Sequence, residues 1–147
     1  MSDSRDEVVD GAGAAAKILN SMPETRRKSL LGKMTAKDPS VIQRIGDKLV
    51  SFSDIAYLDA KGAQLLIKES KHETLVTALK LADEAVGQTL FDNMTERKRQ
   101  IVIDDLRAMP KVPRTQVEEA QKVIVQKLDE LRTKGLVRLS KSDDIWV

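Results

Sequence analysis

Few residues of this chain could do chemistry, and their spacing argues against most of it. Gly11-Ala12-Gly13-Ala14-Ala15-Ala16 matches a relaxed dinucleotide fingerprint, in which glycines let the backbone approach a pyrophosphate at a helix N-terminus. That turn needs a strand before it, and only Val8-Val9 stands there. The stretch reads instead as a small-residue helix start. Asp104-Asp105 offers two carboxylates to a hard cation, but neighbouring residues on a helix point in different directions. One His, His72, leaves little for zinc or for acid–base work, and the absence of Cys removes thiolate sites and disulfides. No catalytic, cofactor-binding or metal site is expected. The remaining feature is electrostatic. Lys61, Gln64, Lys68 and Lys71 fall at helical spacing and make one charged stripe. The stripe can be a solvated face or a surface meant to be touched.

The stripe needs a helix to carry it. Asp59 can cap one, with Gly62, Ala63, Leu66, Ile67 and Ser70 on the packing side. Composition supports helices throughout: 41% hydrophobic, 33% charged and only 3% aromatic favours helix over sheet. The 147 residues suit one compact domain or two small ones, and a chain of that size buries roughly 70% of its unfolded surface. The net charge of +2 implies no strong polyanion partner. No apolar run approaches the ~20 residues that span a bilayer, and the polar N-terminus lacks a signal-peptide core. A cytosolic origin fits the lack of Cys.

In chain order, residues 1–10 are polar and read as a loose N-terminus. A first helix carries Ala15, Ile18, Leu19 and Met22. Pro23 opens a second, with Leu30, Leu31 and Met34 on one side, and Asp38-Pro39-Ser40 opens a third through Val41, Ile42, Ile45 and Leu49. Arg26, Arg27, Lys28, Lys33, Lys37, Arg44 and Lys48 make this unit locally basic, which reads as solvated surface. Helical periodicity lapses at Ser51-Phe52-Ser53, and Ser53 can cap a short helix. Further helices are expected over about 73–81 and 83–93, the second with Gly87 at a close contact. Another follows a Thr95 cap, and a long last helix follows a Thr115 cap and stops at Gly135. Ser29–Thr35 echoes Thr89–Thr95 at an offset of 60, which suggests two helix-pair units stacked in armadillo-like fashion.

Several stretches together resemble the C-terminal region of FliG, the rotor and switch family of the bacterial flagellar motor. They are Ala15 to Met22, Phe52-Ser53-Asp54-Ile55 with Leu58-Asp59, Ala78-Leu79-Lys80, Asn93-Met94-Thr95-Glu96-Arg97, Asp104-Asp105-Leu106 and Val117 to Lys122. Their order and spacing hold from about Ala14 to Leu139. The resemblance implies an all-α fold: an armadillo-like three-helix unit (11–49), a hinge and short helix (50–58), a compact C-terminal helical domain (59–140) and a tail (141–147). It places the hinge at Leu49, Val50, Ser51 and Phe52, where only the last aromatic of the family's Met-Phe-x-Phe element is kept. It places stator contact on Asp59, Lys61 and Lys68. Ala60 replaces the family's second Asp, so this face is more basic than usual. The stacking interface would be Ile18, Leu19, Leu30, Leu31, Met34, Ile42 and Ile45.

The function so implied is a non-enzymatic FliG-like rotor and switch component. Its partners would be the stator protein MotA and the switch protein FliM, with self-association through the armadillo-like unit. It would need no cofactor and no nucleic acid, and would lie in the cytoplasm at the cytoplasmic face of the basal body, peripheral to the membrane at most. The family's N-terminal and middle domains have no counterpart here, so the chain reads as a fragment or a free-standing paralogue. Two other readings stay open. One is a FliG-fold adaptor outside the motor. The other is a winged-helix-like nucleic-acid module in which Lys134 to Leu139 starts a wing, although Glu118, Glu119, Asp129 and Glu130 lie on the long helix where phosphates would want Lys or Arg.

Overall fold

Every regular element of the computed structural model is helical among the residues it describes, which are 11–40, Ile45 and 49–139. In chain order these are α1 (Gly11–Asn20), α2 (Glu24–Lys37), a 3-10 turn (Phe52–Tyr57), α3 (Ala60–Glu69), α4 (His72–Leu79), α5 (Glu84–Asp92), α6 (Glu96–Ala108) and α7 (Arg114–Thr133). The expected third helix falls largely on residues outside this description, as do Ile42, the N-terminus and the tail.

The helices form where short polar residues can satisfy their ends. The Asp59 carboxylate accepts the Gly62 N–H at 2.8 Å, and the Thr95 hydroxyl accepts that of Lys98 at 3.1 Å. Each such cap contributes about 1 kcal/mol. Gly135 ends α7 with φ of 77°. Its N–H reaches the Arg132 carbonyl and that of Leu136 the Leu131 carbonyl, both at 2.9 Å, which is the Schellman closure that glycine permits. Two expected caps are corrected. Helix α7 starts at Arg114 behind Pro113, with no side-chain cap; the fixed φ of Pro113 already sets the helical entry, so Thr115 lies inside the first turn. The 3-10 turn begins behind Ser51 rather than Ser53, because Asp54 Oδ2 accepts the Ser51 N–H at 2.9 Å.

The core gathers around α7. Ile124 and Leu128 from α7 meet Leu66 of α3, Leu75 of α4, Leu90 of α5 and Ile55 of the 3-10 turn, each at most 1% exposed. Burying one such side chain contributes about 1.5–3 kcal/mol. Helix α4 packs along α7 and against α6; α5 packs on the 3-10 turn and α3; α1 rests on α7. The packing side expected of α3 is the buried one: Gly62, Ala63, Leu66 and Ile67. Gly87 has no atom within 4 Å of where a Cβ would sit, so the close contact expected there is absent.

The echo between 29–35 and 89–95 does not carry into structure. Thr35 sits inside α2 and bonds back to the Leu31 carbonyl at 2.7 Å, whereas Thr95 lies between helices and caps α6. Similar apolar spacing arises in any amphipathic helix, and here it marks a helix interior once and a helix junction once.

Candidate functional site: a basic stripe on a braced helix

Helix α3 is fixed at both ends before any partner arrives. Asp59 caps its start, and the Ser70 hydroxyl donates to the Leu66 carbonyl at 2.7 Å near its end. Its inner side is closed by Ala63 and Leu66, both at 0% exposure. Gly62 lies under the stripe because a Cβ there would stand 3.0 Å from Asp59 Oδ1, 3.3 Å from Leu58 Cδ2 and 3.6 Å from Val137 Cβ. The small residue lets the cap and the segment after α7 come close.

Lys61, Gln64 and Lys68 project outward and are exposed. Lys61 and Lys68 form no ion pair among the described residues. They lie seven residues apart, a rise of about 10 Å along the axis. Lys68 sits in the last turn, where the helix dipole favours a cation. Lys61 sits in the first turn, where the dipole disfavours one by some tenths of a kcal/mol. A cation that does not help its own helix is a reasonable mark of a contact surface. Beside Lys68 a cleft of about 450 Å³ opens between α3 and the α5–α6 junction, with Ile67 and Met94 among its walls and Asp92 and Lys98 among its charged groups. Sequence spacing gave no hint of it, since it joins residues from three elements.

The other residues singled out from the sequence divide. Leu19 and Ile45 are 2% exposed and belong to the chain's own interior. Leu30, Leu31 and Met34 are half-buried, and Ile18 is 61% exposed. Leu49 and Ser51 are half-buried, while Val50 and Phe52 are buried.

Arg27, read as part of a solvated basic block, is instead 5% exposed. Its Nη1 donates to the Val50 carbonyl and, at 2.9 Å, to Asn20 Oδ1. Its Nη2 pairs with Glu24 Oε2 at 2.7 Å. Asn20, 3% exposed, also accepts the Val50 N–H at 2.8 Å. The one sequence signal was Asn20 standing next to Leu19 on an otherwise apolar helix face.

The two carboxylates considered for metal are engaged separately. Asp104 accepts from Gln100 at 2.9 Å, and Asp105 meets His72 Nε2 at 2.6 Å. No group of three or more His, Asp or Glu that could hold a metal ion occurs among the described residues. Residues 136–139 form no strand, so the start of a wing is not present. No described helix is long and apolar enough to cross a membrane.

Fold and site together define an all-helical domain that exposes two lysines, Lys61 and Lys68, on a helix braced at both ends. The chain belongs to the FliG C-terminal domain family, whose family model matches residues 32–139. The flagellar motor switch protein FliG of Thermotoga maritima is 30% identical over 133 residues, which is 90% of this chain and 40% of that protein. That of Vibrio cholerae is 31% identical over 136 residues, covering 92% and 39%. The chain thus spans about 40% of the length of these curated relatives. The solved full-length FliG from Aquifex aeolicus superposes with a TM-score of 0.59 at 28% identity, over 86% of this chain and 40% of that one. A Helicobacter pylori FliG fragment shares the fold, with a TM-score of 0.67 at 24% identity, over 88% of this chain and 61% of that one.

Proposed function

We propose that this chain works as a non-enzymatic rotor-side component of a flagellar motor switch, and that α3 is its contact with the stator. The observation that carries the reading is the pair of exposed cations, Lys61 and Lys68, without ion-pair partners among the described residues on a helix fixed at both ends, in a chain of the FliG C-terminal domain family. Its partners are an acidic segment of the stator protein MotA, met by Lys61 and Lys68 with Asp59 at the helix start, and the switch protein FliM. It stands on the cytoplasmic side of the membrane. The exposed Ile18, with the half-buried Leu30, Leu31 and Met34, offers a face for stacking on a second helical unit.

A cationic stripe gains affinity chiefly from Coulomb attraction, so binding weakens with salt and with charge reversal. The test is titration of the purified chain with the cytoplasmic segment of MotA at two ionic strengths. Lys61→Glu/Lys68→Glu is expected to weaken binding at least tenfold and to remove most of the salt dependence. Unchanged affinity and unchanged motility in that variant would leave the stripe a solvated face and refute the reading.

A further inference from the structure

The cleft beside Lys68 selects for one kind of ligand. It has Ile67 and Met94 among its walls, with Lys68 on the α3 side and Lys98 on the α6 side. The acid among its lining residues, Asp92, is engaged along α5, where the Gln88 amide donates to both carboxylate oxygens at 2.9 and 3.1 Å. Lys98 rests against His72 Nδ1 at 3.3 Å, and Lys68 forms no ion pair among the described residues. A thioether favours the edge of an aromatic ring, and an ammonium favours its face. Carboxylates from a ligand would answer the two ammoniums. The fitting ligand is an aromatic side chain with acids close by in sequence.

The chain carries such a segment itself. It reads Asp143-Asp144-Ile145-Trp146, and Trp146 is the only tryptophan of the sequence. The described chain reaches Leu139, which packs against the core. Before that it passes α3 at Val137, whose Cβ stands 3.6 Å from the place a Cβ on Gly62 would take. Trp146 follows Val137 by nine residues, a span of up to about 30 Å when extended. From Gly62 to Lys68 the rise is about 9 Å, on a helix about 10 Å across. The segment has length enough to pass around α3 and enter the cleft. A tether this short holds it there at an effective concentration on the order of mM, so a contact too weak to form between free molecules is populated.

We propose that Asp143-Asp144-Ile145-Trp146 docks into the cleft beside Lys68 of the same chain. Trp146 enters between Ile67 and Met94, and the two carboxylates meet Lys68 and Lys98. The docked segment covers the Lys68 end of the basic stripe, so a partner of Lys68 must first displace it. The inference goes beyond the stator reading and does not depend on it.

The only tryptophan reports on its own position. In the full chain, acrylamide should quench Trp146 at least about twofold less than in Lys68→Glu, Met94→Ser or Asp143→Asn/Asp144→Asn. The shielding should also fall at about 1 M salt, where the screening length is about 3 Å. Lys68→Glu alters an exposed side chain, which keeps the test sound if Met94→Ser fails to fold. The lack of Cys allows one bimane label at Gln64→Cys, an exposed position on the cleft wall. Tryptophan quenches bimane only at contact, so the labelled chain is compared with its Trp146→Phe counterpart. The chain with Trp146 should be at least about twofold dimmer, at every protein concentration. A Trp146 no better shielded in the parent than in Lys68→Glu would overturn the proposal. Equal bimane emission with Trp146 and with Phe would overturn it too, because the segment would then lie elsewhere. Quenching that grows with protein concentration would also overturn it, since the occupant would come from a second copy.

Discussion

Two helical glycines should respond in opposite directions to the same substitution. Replacing a helical glycine by alanine stabilises by about 0.5–1 kcal/mol where the site is open, since glycine loses more backbone entropy on folding. Gly87 is such a site: nothing lies within 4 Å of an added Cβ, and its N–H keeps the Asp83 carbonyl at 3.0 Å. At Gly62 the new methyl would stand 3.0 Å from Asp59 Oδ1, the oxygen that caps α3 through the Gly62 N–H at 2.8 Å. The carboxylate cannot move aside without weakening that bond, a loss of about 1 kcal/mol. Leu58 Cδ2 at 3.3 Å must also give way. The weakened cap and the displaced Leu58 together outweigh the alanine gain, so Gly62→Ala should destabilise by up to about 1 kcal/mol net, whereas Gly87→Ala should stabilise by up to about 1 kcal/mol. Urea unfolding reads the difference directly. With a slope near 2 kcal/mol/M, the two midpoints should lie up to about 0.5 M on opposite sides of the parent. A double-mutant cycle names the cause: in an Asp59→Ala background the cost of Gly62→Ala should largely vanish. A Gly62→Ala protein at or above parent stability, or a cost unchanged without Asp59, would refute the reasoning.

Leu128→Ala removes a side chain at 0% exposure in the centre of the bundle and should cost about 2–5 kcal/mol in the same urea assay. Thr95→Ala should cost about 1 kcal/mol, with amide exchange rising first at the start of α6, because the Lys98 N–H loses its acceptor. Hydrogen bonds from Lys134 and then Lys127 hold the Glu130 carboxyl below its ordinary value of 4.5. The small stabilisation it brings is present above that value and fades as pH falls through the lower folded one. Carboxyl NMR should show the depressed midpoint, and Lys134→Met should move it back up.

Much of this architecture was legible because it rests on local chemistry. Asp59, Thr95 and Gly135 act at helix ends where a short acceptor or a positive φ is the only requirement, so their types gave them away. The buried side of α3 followed from apolar spacing alone. What was not legible depends on contacts between distant segments. Arg27 counts as surface charge in any linear reading, and only the return of Val50, 23 residues later, makes it interior. The cleft beside Lys68 needs α3, α5 and α6 brought together first. Gly87 misled because a glycine inside a helix suggests a neighbour, and the fold leaves that position open. Thr115 misled for the opposite reason: a good capping residue stood one place past a proline that had already set the entry.

Helix α7 touches α4, α3, the 3-10 turn and α1, and its 20 residues make a rod about 30 Å long. Densely packed interiors are stiff and transmit displacement. A sideways force on α3 therefore finds no soft layer before the rod, and the rod carries it to the end where α1 lies. Mechanically, α7 is the spar of the molecule. Load reaches the first two helices at two places, where α1 lies on α7 and where Asn20 and Arg27 bond the backbone of Val50.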